Sequence, residues 1–192
     1  MLKVAARASL LLPAGGEQPT SLAVLRSELG IALPRRINRY TELALLGAHR
    51  CGIAYGAPFP ADTAVLLVSE TPNLSDALRV MRALIAEDRP PTPFDFMNTA
   101  SNMGGFYVAQ QLGLSAAQLT VHRSGGGLQA AFELLTLPSA PRRALLGRVE
   151  EVDWPLAEHR VRLGVSADAP LVERSDWMFL DADCAEPLDW VG

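Results

Sequence analysis

The hydrophobic positions of the chain follow two patterns, and each pattern predicts a different kind of element. Unbroken aliphatic runs, such as residues 63–68, are typical of strands that are covered on both faces. Apolar residues three and four positions apart, as in residues 41–51, predict amphipathic helices. Strands are predicted at residues 3–12, 63–68, 118–122, 144–151 and 177–180, with a weaker strand at 158–165.

The other helices begin and end at familiar signals. Ser75 is placed to cap a helix with an apolar stripe over residues 78–85, and Asp76 lies near the positive end of its dipole. A further helix is predicted over residues 98–112, closed by Gly113, and another after Gly127. Strands that alternate with helices predict an α/β domain with a mostly parallel sheet covered by helices.

The composition is that of one ordinary globular domain. The 192 residues are 49% hydrophobic and 20% charged, and the formal net charge of −4 argues against nucleic-acid binding. No apolar run is long enough to span a membrane, and residues 8–13 are interpreted as a first strand rather than a signal peptide, so a cytoplasmic protein is expected. Cys51 and Cys184 are too few for a disulfide framework, and the three histidines lack metal-ligand spacing. Neither a metal nor a cofactor is predicted.

The turn between the strand at 118–122 and the following helix is the candidate site. It carries Ser124 and three glycines, Gly125, Gly126 and Gly127, at a helix N-terminus, where backbone N–H groups favour an anion. These features suit an acyl nucleophile and its oxyanion hole, with His122 two residues away. Two alternatives stay open: Ser124 as a helix N-cap, and His122 as a packed or capping histidine. The sequence here matches neither the G-x-S-x-G elbow nor a phosphate-binding loop.

Five segments, taken in order, resemble the N-terminal half of a β-ketoacyl synthase of the thiolase-like superfamily. They are residues 33–40, 91–102, 124–133, 144–151 and 173–180. Residues 150–162 are similar to the divergent synthase-like proteins of aryl polyene and xanthomonadin pigment clusters. The resemblance implies a thiolase-like half-fold, with a mixed, mostly parallel five-stranded sheet covered by helices. It also implies one synthase-like domain over residues 1–192, lacking the C-terminal half of the thiolase fold.

The sequence departs from this family where its chemistry resides. Ser124 stands at the position of the family's cysteine, and the family's catalytic histidines come from the half that is missing. The resemblance therefore implies a pseudo-ketosynthase, a partner like a chain length factor, in fatty-acid or polyketide (aryl polyene pigment) biosynthesis, without condensing activity of its own. One alternative is a Ser124-dependent acyltransferase or thioesterase-like enzyme acting on acyl carrier protein thioesters, with help from His122 or His159. Another is an acyl-binding module lined by Met97, Met103 and Phe132.

The expected partners are an acyl carrier protein or a full-length ketosynthase. A half-fold alone would leave an apolar helix face and a sheet face open to water, so a homo- or hetero-oligomer is expected. The resemblance places Asn102, Phe106 and Tyr107 at its interface, although the two aromatic residues equally suit the core. Two further charged groups have both functional and ordinary surface interpretations. They are a carrier-docking set (Arg35, Arg36, Arg39, Arg142 and Arg143) and a cation-binding set (Asp181, Asp183 and Glu186).

Overall fold

The computed structural model describes residues 2–13, 21–123, 125–152 and 172–185. The strands are β1 (Lys3–Pro13), β2 (Ala64–Ser69), β3 (Gln118–His122), β4 (Arg143–Glu150) and β5 (Val172–Asp181). The helices are α1 (Ala23–Leu29), α2 (Arg39–Tyr55), α3 (Leu74–Ala86), α4 (Pro93–Asn98), α5 (Met103–Leu112) and α6 (Gly127–Leu135). The weaker strand predicted at 158–165 lies outside the described residues.

In this part of the chain the strands form one mixed sheet in the order β1-β5-β4-β2-β3. β4, β2 and β3 run parallel, whereas β5 is antiparallel to both of its neighbours. The predicted α/β class and five-stranded mixed sheet are confirmed. Because β2, β3 and β4 are parallel, their carboxyl ends meet at one edge, and loops to helices begin there.

Side chains alternate between the two faces of the sheet, and each face has its own core. The first face, here the α2 face, packs Leu67, Leu145 and Phe179 against α2 and α5. The second, the α6 face, packs Leu66 and Leu146 against α6. This alternation with a period of two is why unbroken aliphatic runs fold as strands covered on both sides.

Trp177 fixes the spacing of the α2 face. Its indole lies between α2 and β4, and its Nε1 donates to Ser175 Oγ at 2.8 Å. A Cβ placed on Gly47 of α2 would lie 2.6 Å from Trp177 Cδ1, and one on Gly147 of β4 would lie equally close to the ring. Both glycines are therefore required by packing, since a side chain at either position would displace the indole.

Two sequence predictions about the starts of helices are wrong, and two short helices were missed. The helix predicted over residues 98–112 begins at Met103, and it ends at Leu112 with Gly113 as its C-cap, as expected. The separate helix α4 precedes it, starting at a capping box between Thr92 and Asp95 and ending before the turn at residues 99–102. The helix assigned to a Ser75 cap begins after Asn73, whose φ of 55° is left-handed. The amide of Ser75 instead donates to the buried carboxylate of Glu151 at 3.3 Å. The short helix α1 was not predicted.

Candidate functional site

The turn from β3 to α6 lies at the edge where β2, β3 and β4 end. Gly125 and Gly126 have φ values of 68° and 64°, a left-handed backbone that glycine adopts without a steric cost. Gly127 opens α6, and a Cβ there would lie 2.7 Å from Val68 Cγ1. Three glycines are thus needed to bring α6 down onto β2. The N-cap of α6 is Gly126, so the interpretation of Ser124 as the N-cap is wrong. Ser124 itself lies outside the described residues, so its role as nucleophile stays a prediction.

A cavity of about 210 Å³ opens beside this turn and is called the elbow cavity below. Its lining comes from the ends of β2 and β4 and from the turn and the first residues of α6. The lining residues are Val68, Glu70, Arg123, Gly126, Gly127, Leu128, Arg148 and Glu150. Two arginines and two glutamates make this cavity polar, which does not suit a long acyl chain.

Glu150, the last residue of β4, ties β4 to the end of β2. Its carboxylate accepts hydrogen bonds from Ser69 Oγ at 3.0 Å and from the amide of Glu70 at 2.9 and 3.1 Å. A longer contact of 3.5 Å comes from the amide of Thr71. Burial raises the pKa of Glu150, although these donors and Arg148 oppose the shift. Glu150 therefore holds one wall of the elbow cavity in place.

Arg148 lies two residues earlier on the same face of β4. Its Nη2 lies 3.4 Å from Glu70 Oε1, and its Nε lies 3.8 Å from Glu150 Oε1. Both distances exceed the 2.7–2.9 Å typical of charge-assisted hydrogen bonds. The Arg148 side chain is 30% exposed and the Glu70 side chain 42% exposed. The guanidinium is therefore loosely held within the cavity.

His122 ends β3 on the exposed side of the turn. Its Nε2 lies 2.8 Å from the carbonyl oxygen of Glu70, which can only accept, so Nε2 donates. The ring thus links the ends of β3 and β2. A role as a catalytic base stays a prediction, because its potential partner Ser124 is outside the described residues.

The α6 face of the sheet changes character toward this edge. Away from this edge the face is apolar and buried. Near the edge, Ser9, Asp176 and Arg148 lie side by side on β1, β5 and β4. Ser9 Oγ donates to Asp176, and Arg174 Nε donates to Asp176 Oδ2 at 2.7 Å. At this edge the outward positions of the described sheet face carry charged and polar side chains rather than apolar ones. An apolar helix face is open on α3, where Leu78, Met81 and Ile85 are exposed.

The residues expected at an interface lie together at the start of α5. Asn102 precedes the helix and is exposed, and Phe106 is 43% exposed. Tyr107 is partly buried against the core, and its ring meets Phe106 edge-on with centroids 5.4 Å apart. The alternative that Phe106 belongs to the core is wrong, whereas Tyr107 does contact the core.

The proposed acyl pocket of Met97, Met103 and Phe132 does not form. Met103 belongs to α5, which packs on the α2 face, whereas Phe132 packs on the α6 face. The sheet therefore separates them. The pattern of apolar spacing showed that both helices were amphipathic but not which face of the sheet each one covers.

Three of the five arginines are paired with acidic side chains, two of them with members of the cation-binding set. Arg39 pairs with the buried Glu173, Arg142 pairs with Asp183, and Arg143 lies 3.3 Å from Asp181. Arg35 forms no ion pair within the described residues, and Arg36 lies over the ring of Phe94 at 4.7 Å. Asp181 and Asp183 are thus arginine partners. Glu186 lies outside the described residues, and within them no cluster of His, Cys, Asp or Glu is placed to hold a metal ion.

Neither cysteine is near the elbow cavity. Cys51 is fully buried in α2, and burial raises the pKa of its thiol to about 12. Cys184 follows β5, and its carbonyl accepts from Lys3 Nζ at 3.0 Å at the edge where β4 begins. That edge is opposite to the one carrying the cavity.

The charged lining was missed at the sequence level. Glu70 is far along the chain from Arg148 and Glu150, and it meets them only because β2 and β4 pair in register. The rule that sites gather at the carboxyl ends of parallel strands identified the turn at 122–127. Applied to the two neighbouring strands as well, it would have pointed to the residues that end β2 and β4.

No protein-family model and no curated protein sequence matches the chain. Solved structures match it closely in fold. A ketosynthase in complex with its chain length factor from Xenorhabdus doucetiae has a TM-score of 0.66 at 15% identity, over 96% of this chain and 80% of that one. The ishigamide ketosynthase/chain length factor has a TM-score of 0.66 at 19% identity, over 85% of this chain and 49% of that one.

A β-ketoacyl synthase from Burkholderia phymatum gives a TM-score of 0.66 at 11% identity, over 94% of this chain and 58% of that one. The chain thus spans about half the length of the ishigamide and Burkholderia phymatum chains. Its fold is the thiolase-like half-fold of β-ketoacyl synthases and their chain length factors, as the sequence resemblance implied. Within the described residues, no helix has the length and apolar character needed to cross a membrane.

Proposed function

We propose that this chain is a non-condensing partner of a ketosynthase, in the manner of a chain length factor, in cytoplasmic fatty-acid or polyketide biosynthesis of the aryl polyene type. The fold shared with structures described as ketosynthase and chain length factor complexes supports this role. The observation that carries it is the location of the thiols. Both cysteines lie away from the elbow, and residue 124, where the family has its cysteine, is serine.

The chemistry of the thiol explains why this matters. A thiol is a few per cent ionised near neutral pH and is a strong nucleophile, whereas an unassisted serine hydroxyl is a weak one. Cys51 is further disabled by burial, which raises its pKa to about 12. A condensing reaction through a cysteine thioester therefore has no suitable residue in this chain.

A surface for the partner is available at the edge of the sheet. β3 is the last strand in the order, and its outer edge pairs with no strand of the described chain. Leu119 on β3 is 45% exposed and Phe106 on α5 is 43% exposed. Unpaired strand edges and exposed aromatic residues are features through which a second protein binds. We place the ketosynthase contact along β3 and α5, with Asn102, Phe106 and Tyr107 within it.

An acyl carrier protein is the second proposed partner. Of the five arginines suggested for docking it, Arg39, Arg142 and Arg143 are occupied by acidic partners. Arg35 and Arg36 are exposed and remain available to an acidic surface. The carrier contact is therefore proposed around these two residues.

The role is tested by reconstitution. Each type II ketosynthase of the source organism is assayed with its carrier protein and malonyl donor, with and without this chain. The proposal expects one synthase whose rate or product length changes when the chain is added, and an unchanged effect when Ser124→Ala replaces it. The absence of any effect on every synthase would rule the role out.

A second candidate is an acyltransferase that uses Ser124, because Gly126 and Gly127 of the same turn line the elbow cavity, which could admit a short acyl group. This candidate predicts a covalent acyl adduct after incubation with acyl-loaded carrier protein, seen by intact mass spectrometry. The adduct should disappear in Ser124→Ala. A wild-type adduct that persists in that variant would exclude Ser124 as the acyl acceptor.

A further inference from the structure

We infer that the elbow cavity binds a small anionic group, a carboxylate or a phosphate ester, through the guanidinium groups of Arg148 and Arg123. This site is additional to the proposed synthase partnership and does not depend on it. The inference rests on which charged groups around the cavity already have close hydrogen-bond or ion-pair partners and which do not.

The two arginines have hydrogen-bonding capacity to spare. The closest carboxylate oxygens to Arg148 lie 3.4 and 3.8 Å away, so its donors are only weakly engaged. Arg123 lines the same cavity, is exposed, and makes no ion pair within the described residues. A guanidinium carries five N–H donors in a planar fork that matches carboxylate and phosphate oxygens. Two such groups facing one cavity favour an anion.

The two glutamates do not cancel this preference, because they are held differently. The Glu150 carboxylate accepts hydrogen bonds from Ser69 Oγ and from two backbone amides. These donors compensate much of its negative charge without any contribution from Arg148. The Glu70 side chain is 42% exposed, and its carboxylate contacts only Arg148, at 3.4 Å, among the contacts described for it. We assign Glu70 the role of an internal competitor, which an incoming anion displaces from Arg148.

The size of the cavity limits the ligand. Pockets for drug-sized molecules are roughly 300–1,000 Å³, whereas the elbow cavity is about 210 Å³. Val68 and Leu128 supply small apolar surfaces beside the charged groups. The ligand that fits is a small acid or a terminal phosphate with a short attached chain.

The test is a titration of the full chain with inorganic phosphate and, separately, with malonate, followed by calorimetry at low ionic strength, where screening is weak. Saturable binding is expected for at least one of them, and the comparison identifies the preferred group. Arg148→Met should weaken binding about tenfold or more, and Arg123→Met by a smaller factor, since a hydrogen bond to a charged group contributes about that much. Glu70→Gln should tighten binding severalfold, because it removes the competitor.

The matched control is Arg82→Met. Arg82 is exposed on α3 and makes no ion pair in the described part of the chain, so its variant lowers the net charge equally without touching the cavity. It should leave the affinity unchanged. No saturable binding of either anion, an equal loss in Arg82→Met, or weaker binding in Glu70→Gln would each overturn the inference. Since the Glu70 side chain is 42% exposed and its carboxylate holds no buried contact, its variant keeps the test decisive even where Arg148→Met fails to fold.

Discussion

The hydroxyl of Ser69 donates a 3.0 Å hydrogen bond to the carboxylate of Glu150, and this contact joins the carboxyl ends of β2 and β4. The amides of Glu70 and Thr71 donate to the same carboxylate. One side chain thus holds the loop that leaves β2 against the end of β4. The shape of the elbow cavity depends on this contact.

Replacing Glu150 by glutamine should change how stability depends on pH. Burial raises the pKa of Glu150 above its ordinary value of 4.5, so the folded protein holds this proton more tightly than the unfolded chain. The contribution of Glu150 to the free energy of unfolding therefore falls as the pH rises from that ordinary value through the raised one. Glu150→Gln cannot ionise. The difference in unfolding free energy, wild type minus variant, should decrease as the pH rises above the ordinary pKa of 4.5 in urea titrations. A difference that grows with pH would contradict this account.

A methyl group on Gly47 should destabilise the protein, whereas one on Gly52 should not. A Cβ on Gly47 would lie 2.2 Å from Ser175 Oγ and 2.6 Å from Trp177 Cδ1, in a fully buried part of the core. Overpacking of this kind costs about 1–3 kcal/mol. A Cβ on Gly52, in the same helix, meets Phe59 at an ordinary 3.5 Å. There alanine should be neutral or stabilising by up to about 1 kcal/mol, because it favours helix. Equal unfolding midpoints in urea for the two variants would show that the packing around Trp177 is not as described.

The two thiols should differ sharply in reactivity. Cys51 is fully buried, and its pKa is raised to about 12, so almost no thiolate forms at neutral pH. Cys184 is only partly buried. Native protein treated with Ellman's reagent should therefore show one fast thiol, and unfolded protein should show both. In Cys184→Ser the fast reaction should vanish. Two fast thiols in the native protein would mean that Cys51 is accessible, so that a thioester on a cysteine of this chain would again have to be considered.

The α5 surface should be the part of the chain that a ketosynthase contacts. Phe106→Glu should weaken the complex by about 2 kcal/mol or more, as expected for an aromatic residue central to an interface. The fold should be unaffected, since the Phe106 side chain is 43% exposed in the chain alone. Leu11→Glu is the matched control, because Leu11 is 55% exposed on β1, at the opposite end of the sheet from β3. Affinities measured by biolayer interferometry should separate the two variants. A similar loss for both would place the contact elsewhere.

The fold could be predicted where a pattern is local. The aliphatic run of β2 and the spacing of Leu43, Leu46 and Ala48 in α2 each determine an element without reference to the rest of the chain. Helix α4 was missed because its start is a capping box of Thr92 and Asp95, with Pro93 at the first helical position, and all three residues precede the predicted helix start at residue 98. Asn73 was missed as a helix boundary because its left-handed φ is supported by distant contacts. Its side chain bonds Asn38 and the carbonyl of Ala100.

The candidate site was only half predictable for a similar reason. The glycines of the turn indicate a left-handed backbone, and Gly125 and Gly126 do have positive φ. The charged residues that line the elbow cavity can be placed together only once the order of the strands is known. Arg148 meets Glu70 because β4 lies next to β2, a pairing that no local pattern encodes. The lining residues that the sequence did not identify are therefore those whose position depends on long-range strand pairing.

The central claim, that this chain is the partner of a ketosynthase, is tested most directly by native mass spectrometry. The chain is mixed in turn with each type II ketosynthase of the source organism at micromolar concentration. The account predicts a stoichiometric complex of one chain with one synthase subunit for at least one of them, lost in Phe106→Glu and kept in Leu11→Glu. Spectra that contain only the separate proteins or copies of this chain with itself, for every synthase, would contradict it.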